Sequence, residues 1–142
     1  MIIIKEATEK DLPLIMALIK SERADGRKIF YNQFLIAKDG DEIIGCIRIK
    51  ELENCLELGS LVIRPQYRNI GIGSKLIKKI LARETRRPVY LLCRAQMSDF
   101  YSRGGFSEID INFAPDALKN EYLLVRDEIN EASGKIITMV NS

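Results

Sequence analysis

The sequence predicts a mixed α/β fold, a mostly antiparallel sheet flanked by helices, and three observations predict it. Two apolar runs flank Asp39-Gly40 in "QFLIAKDGDEIIGCIRIKEL", which reads as a β-hairpin. Ile72, Leu76, Ile77, Ile80 and Leu81 follow at helical spacing and lead to the continuous apolar run "VYLLC". Pro115-Asp116 and Gly134 then bracket a second helical stretch before the terminal run "KIITMV". Antiparallel strands first, then strand–helix–strand–helix–strand, require a mixed sheet with helices on its faces.

Each element follows in order. "MIIIKEA" reads as the first strand, and "TEKDLPLIMALIKSE" as a helix capped at Thr8. Residues 22–30 read as a second short helix. The hairpin comes next, and then "CLELGSLVIR" as a strand whose apolar parity changes: Leu56 and Leu58 are even, Leu61 and Ile63 odd. A one-residue phase change needs an extra residue, so a β-bulge is expected at Gly59-Ser60. "MSDFYSR" is a short helix ending at Gly104-Gly105, and "FSEIDI" is a strand. Leu118, Tyr122, Val125 and Ile129 share one face of the next helix. No linker, repeat or low-complexity tract interrupts residues 1–142, which read as one domain.

Composition narrows the function. At 142 residues, 46% hydrophobic and 30% charged, the chain has an ordinary globular balance, and a net charge of +2 gives no case for nucleic acid. No run approaches the roughly 18 apolar residues of a membrane span. "MIIIKEATEK" lacks a basic leader, and Cys46, Cys55 and Cys93 are scattered, which together suggest reduced thiols in the cytoplasm. The chain has no histidine, so Ser-His-Asp and Cys-His catalysis are excluded, and no metal site is expected.

"YRNIGIGSKLIKKIL" places Gly71 and Gly73 at the mouth of a helix, where glycine costs about 1 kcal/mol relative to alanine inside a helical stretch. A dinucleotide fingerprint would need a small residue where Leu76 stands, and a P-loop needs a different order. A shorter pyrophosphate cradle, [Arg/Gln]-x-x-Gly-x-[Gly/Ala], fits Arg68, Gly71 and Gly73. The first amides of a helix lack intrahelical partners and favour anions, and glycines let a diphosphate approach them.

With these surroundings the sequence resembles the GNAT superfamily of acetyl-CoA-dependent N-acetyltransferases. "LGSLVIRPQYRNIGIGSKLIKKIL" resembles that family's strand-four, pyrophosphate-loop and helix segment, and "FYSRGGF" its aromatic-Tyr-x-x-x-Gly-Phe signature. "IKEATEKDLPLI" is similar to its opening, so the resemblance covers residues 1 to about 110. It implies a sheet splayed between strands four and five with acetyl-CoA in the gap. The pantetheine arm would pair with Leu61, Val62 and Ile63, and the diphosphate would rest on Arg68, Asn69, Ile70, Gly71, Ile72, Gly73 and Ser74. The other party would be a small-molecule or peptide amine, and a homodimer is left open. A non-catalytic acyl-CoA sensor or interaction module of the same fold is the competing reading.

Direct attack by an amine on the thioester requires a base, an oxyanion donor and an acid for the thiolate. Glu57, eleven residues ahead of Arg68, matches the carboxylate base of several family members, against the plain alternative of a solvated strand glutamate. Tyr101 matches the family tyrosine near the CoA sulfur, where a phenol of pKa about 10 suits the task. The Val62 amide or a neighbour would polarise the carbonyl, and Cys93 reads as buried core. Two features depart from the family pattern. Arg94 stands where many members carry asparagine, and residues 112–133 form a helix-sized insertion.

Overall fold

The computed structural model describes residues 1–128 and 134–142, with the backbone alone of 127 and 128. Seven strands form one sheet in the order β1-β2-β3-β4-β5-β7-β6. The chain divides into two compact units, Met1–Ile49 with Gly59–Thr85, and Lys50–Leu58 with Arg86–Ser142.

In the first unit, β1 (Ile2–Glu6) pairs antiparallel with β2 (Phe34–Asp39), which pairs antiparallel with β3 (Glu42–Glu51). The expected hairpin is present, with its turn at Gly40-Asp41, one residue beyond the Asp39-Gly40 pair that the sequence suggests. α1 (Leu12–Ser21) buries Ile15, Leu18 and Ile19 against Phe34, Ile36, Ile43, Cys46 and Val62. Thr8 begins a short turn rather than α1 itself. Its amide and hydroxyl donate to the Asp11 carboxylate at 2.8 and 3.0 Å, and the helix starts one residue later. α2 (Ile72–Arg83) buries Ile72, Leu76, Ile77 and Ile80 and leaves Lys75, Lys78 and Lys79 in solvent, the division that the spacing predicts.

Residues 22–30 are not a helix. α1 ends at Ser21, and Arg23 and Lys28 have φ of 55° and 53°. Arg48, fully buried on β3, provides the reason. Its guanidinium donates to the carbonyls of Asp25, Arg27 and Lys28 at 3.0, 2.8 and 3.1 Å, to Gln33 Oε1 at 3.0 Å and to Ser60 Oγ at 2.9 Å. Three carbonyls that a helix would satisfy internally are thus drawn to one side chain. The Asp25 carboxylate lies 3.6 Å away, and the Phe34 ring packs 5.5 Å from Arg48 Cζ.

Ser60 lies on β4 (Leu56–Ile63) and has φ of 52°, a left-handed conformation that costs an ordinary residue about 1–2 kcal/mol. This left-handed residue lies within the Gly59-Ser60 pair, but the even positions Leu56, Leu58, Ser60 and Val62 are buried on both sides of it, so the packing does not change phase as the apolar parity suggests. Ser60 Oγ donates to the Asp25 carbonyl at 2.7 Å while accepting from Arg48, and its own carbonyl accepts from Cys46 Sγ at 3.4 Å.

In the second unit, the start of β4 pairs parallel with β5 (Val89–Arg94) through Leu56↔Val89, Glu57↔Tyr90 and Leu58↔Leu91, and the pairing stops there. β5 stays paired with β7 (Ile136–Asn141) along its full length, as far as Arg94↔Ile136. The parallel pairing of strands four and five is thus confined to the start of β4. β6 is shorter than its sequence run, only Ser107–Ile109, because Asp110 accepts from the Asn112 amide and turns the chain out of the sheet. α3 (Ser98–Arg103) ends at Gly104, and α4 (Asp116–Glu128) occupies the expected insertion. Leu118 is buried on α4 and Tyr122 and Val125 are half-buried, whereas Ile129 lies outside the described residues.

Replacing Arg48 with Met is expected to lower stability by about 3–5 kcal/mol, the usual cost of deleting one member of a buried charged network. Urea unfolding measures the loss. Hydrogen exchange should speed up first in residues 22–33.

Candidate functional site

The loop before α2 leads through left-handed residues to a helix start without a side-chain cap. Pro65–Tyr67 forms a single turn, after which Asn69 and Gly71 take φ of 64° and 89°. Alternation of left-handed and ordinary residues turns successive amides toward one side and creates an anion-binding hollow. Gly71 is the N-cap of α2 and supplies no side-chain acceptor, so the first amides of the helix have no cap from that residue. A Cβ placed on Gly71 would meet nothing within 4 Å, so its need for glycine comes from φ and from whatever approaches the loop.

Arg68 is engaged with groups of the protein itself. Its Nε donates to the Ile63 carbonyl at 2.9 Å, and its guanidinium pairs with Glu22 through a close contact. In this state it braces the loop against the end of β4. Leu61 and Ile63 are half-buried and Val62 is buried, on the stretch of β4 beyond its last parallel partner.

The second unit carries the candidate acid and base. Glu57 is neither solvated nor isolated. It is 6% exposed, and its Oε1 lies 3.2 Å from Nζ of Lys50, itself 2% exposed. The same ammonium lies 3.5 Å from Glu121 Oε2 on α4. Sequence reasoning missed Lys50 and Glu121. Lys50 alternates with Ile47 and Ile49 like a residue on a solvent face, and Glu121 lies among the polar positions of its helix. One signal was available: Glu121 is three residues after Leu118 and shares its helical face. Glu51, by contrast, is exposed and pairs with Arg86 at 2.7 Å.

Tyr101 is buried on α3, set edge-on to Phe100 and Phe106 with ring centroids 5.1 and 6.2 Å away. The helix end holds it, since its carbonyl accepts from the amides of Gly104 and Phe106. Burial, reinforced by the neighbouring Cys93 thiol, raises the phenol pKa, so Tyr101 keeps its proton at any physiological pH. Cys93 is buried core, and burial, with a smaller contribution from Glu108, pushes its thiol up to about 11. It is a poor nucleophile in that state. Among the described residues, no group of three or more Cys, Asp or Glu side chains is arranged to hold a metal ion, and no helix is long and apolar enough to cross a membrane.

A GNAT acetyltransferase domain model matches residues 30–108. The chain belongs to the GNAT family. An uncharacterised N-acetyltransferase of Chlorobaculum tepidum is 32% identical over 89 residues, which cover 60% of this GNAT chain and 56% of that relative. N-acetylglutamate synthase from Neisseria gonorrhoeae, solved with coenzyme A and N-acetyl-glutamate, superposes with a TM-score of 0.77 at 17% identity. The match covers 99% of this chain and 35% of the synthase. The Mycobacterium tuberculosis protein Rv2747, solved in complex with CoA, gives a TM-score of 0.75 at 18% identity, with 97% of each chain covered. At these identities the two structures share the GNAT fold.

The thiols of this GNAT chain differ in burial, which predicts their reactivity. Burial pushes Cys46 up to about 12, while Cys55 is half-buried. Ellman's reagent at pH 8 should label Cys55 in the native protein, with Cys46 and Cys93 reacting only on unfolding. Mass mapping of the labelled peptides checks the order.

Proposed function

We propose that this GNAT domain transfers an acetyl group from acetyl-CoA to the amine of a small molecule or peptide. The hollow formed by Asn69, Gly71 and the uncapped start of α2 carries the proposal. It fits a diphosphate because its donors are backbone amides, the end of the helix is positive, and Gly71 places no side chain in the way. CoA in the two solved neighbours supports the same cosubstrate.

In this reading the amides of Arg68, Asn69, Ile70, Gly71, Ile72, Gly73 and Ser74 hold the diphosphate. The backbone of Leu61, Val62 and Ile63 holds the pantetheine arm as an added strand would be held. Arg68 releases Ile63 or stays as its brace, and its charge contributes in either state. Acetyl-CoA supplies the acetyl group as a thioester with a thiolate leaving group. Glu57 takes the proton of the acceptor ammonium, whose pKa near 10.4 otherwise keeps it unreactive at neutral pH. The Val62 amide donates to the carbonyl oxygen as negative charge develops there. Tyr101, whose phenol stays protonated, gives its proton to the departing sulfur.

One observation favours a different reading, a non-catalytic acyl-CoA sensor: Glu57 is paired with the buried ammonium of Lys50. Incubation with acetyl-CoA and a panel of amines, followed by assay of free CoA, separates the two. Amine-dependent release supports the transferase, and tight binding without release supports the sensor.

Gly71→Val should weaken CoA binding tenfold or more, about 1.4 kcal/mol, in a folded protein, as read by calorimetry. On the acceptor that the panel identifies, Glu57→Gln should lower turnover, with the loss shrinking at high pH as the amine loses its proton unaided. Tyr101→Phe keeps the ring and should lower kcat by roughly ten- to a thousandfold with little change in CoA affinity. Turnover within about twofold of wild type would leave Tyr101 as a packing residue and water as the proton source.

A further inference from the structure

We infer that Glu121, on the inserted helix α4, sets the ionisation of Glu57 through the buried ammonium of Lys50, which makes Glu121 and Lys50 positioning residues for the proposed base. The inference rests on the reading of Glu57 as base, and it gives α4 a part in the chemistry.

The geometry carries it. Lys50 Nζ stands between Glu57 Oε1 at 3.2 Å and Glu121 Oε2 at 3.5 Å, and all three residues are less than 8% exposed. Water and salt screen charges poorly at such depth, so the charge on each group acts on the others. One ammonium shared by two carboxylates stabilises each of them less than it would stabilise either alone, and the carboxylates repel one another.

A second observation comes from Cys55. Its thiol is raised first by burial, then by Glu57, and also by Glu121, so the field of both carboxylates reaches one neighbouring atom. The Leu118 backbone, one turn before Glu121, acts on the same thiol in the opposite direction. Among the described residues, the titratable groups beside Glu57 include Lys50 on β3, Cys55 just ahead of β4, Tyr90 in parallel register on β5, and Glu121 on α4.

The two partners act with opposite sign. Glu121→Gln removes a competing carboxylate and lowers the Glu57 midpoint. Lys50→Met removes the cation and raises it. General destabilisation would not move one residue's titration in opposite directions.

The test needs no acceptor. The full chain is labelled with carboxyl-13C glutamate and titrated by NMR, and the Glu57 resonance is identified by its loss in Glu57→Gln. The midpoint should fall by about one pH unit in Glu121→Gln and rise by about one or more in Lys50→Met. Lys50→Arg, which keeps the charge, should stay near wild type, and if Lys50→Met does not fold, the fall in Glu121→Gln decides the case. A Glu57 midpoint unmoved in folded Glu121→Gln, or moved upward, overturns the inference. The base reading fails separately: Glu57→Gln would then keep wild-type turnover while the titration shifts remained.

Discussion

Arg48 holds the fold to a single course at Ser60. A buried guanidinium must place its donors, and here three loop carbonyls, a glutamine and the Ser60 hydroxyl accept them. Ser60 in turn keeps a left-handed backbone that serine would leave if those bonds were absent. The consequence is a strand with two characters. Leu56–Leu58 belong to the parallel pair with β5, and Leu61–Ile63 lie past its end. Glu57, proposed as the base, comes just before the change, and the backbone proposed to hold pantetheine comes just after it. One buried cation thus separates the two roles along eight residues of chain.

Much of this was legible in the sequence because the signals were local. The hairpin at Gly40-Asp41, the apolar face of α2 and the irregularity in β4 each arise from residues within a turn or a strand of one another. The turn into α2 was legible for the same reason, since Gly71, left-handed at the N-cap, stands within the six residues from Arg68 to Gly73.

What was not legible depended on distant partners. The 22–30 segment has apolar residues enough for a helix, but Arg48, some twenty residues later in the chain, takes its carbonyls. Lys50 and Glu57 look like solvent-facing residues of alternating strands until Glu121 is brought to them by α4. Arg68 reads as a free charge for a phosphate, whereas it is engaged with Glu22 and Ile63. In each case a charged side chain found its partner across the fold, and no spacing rule in one sequence reports that.

The loop at Asn69–Ser74 therefore carries the central claim, because its donors are backbone amides that no side-chain pairing can mask. The most direct measurement is amide NMR of the labelled protein titrated with coenzyme A. The account predicts the largest shifts at Leu61–Ile63 and Asn69–Ser74, saturating at one CoA per chain. Absence of saturable shifts, or a pattern that leaves the start of α2 unmoved, would contradict it.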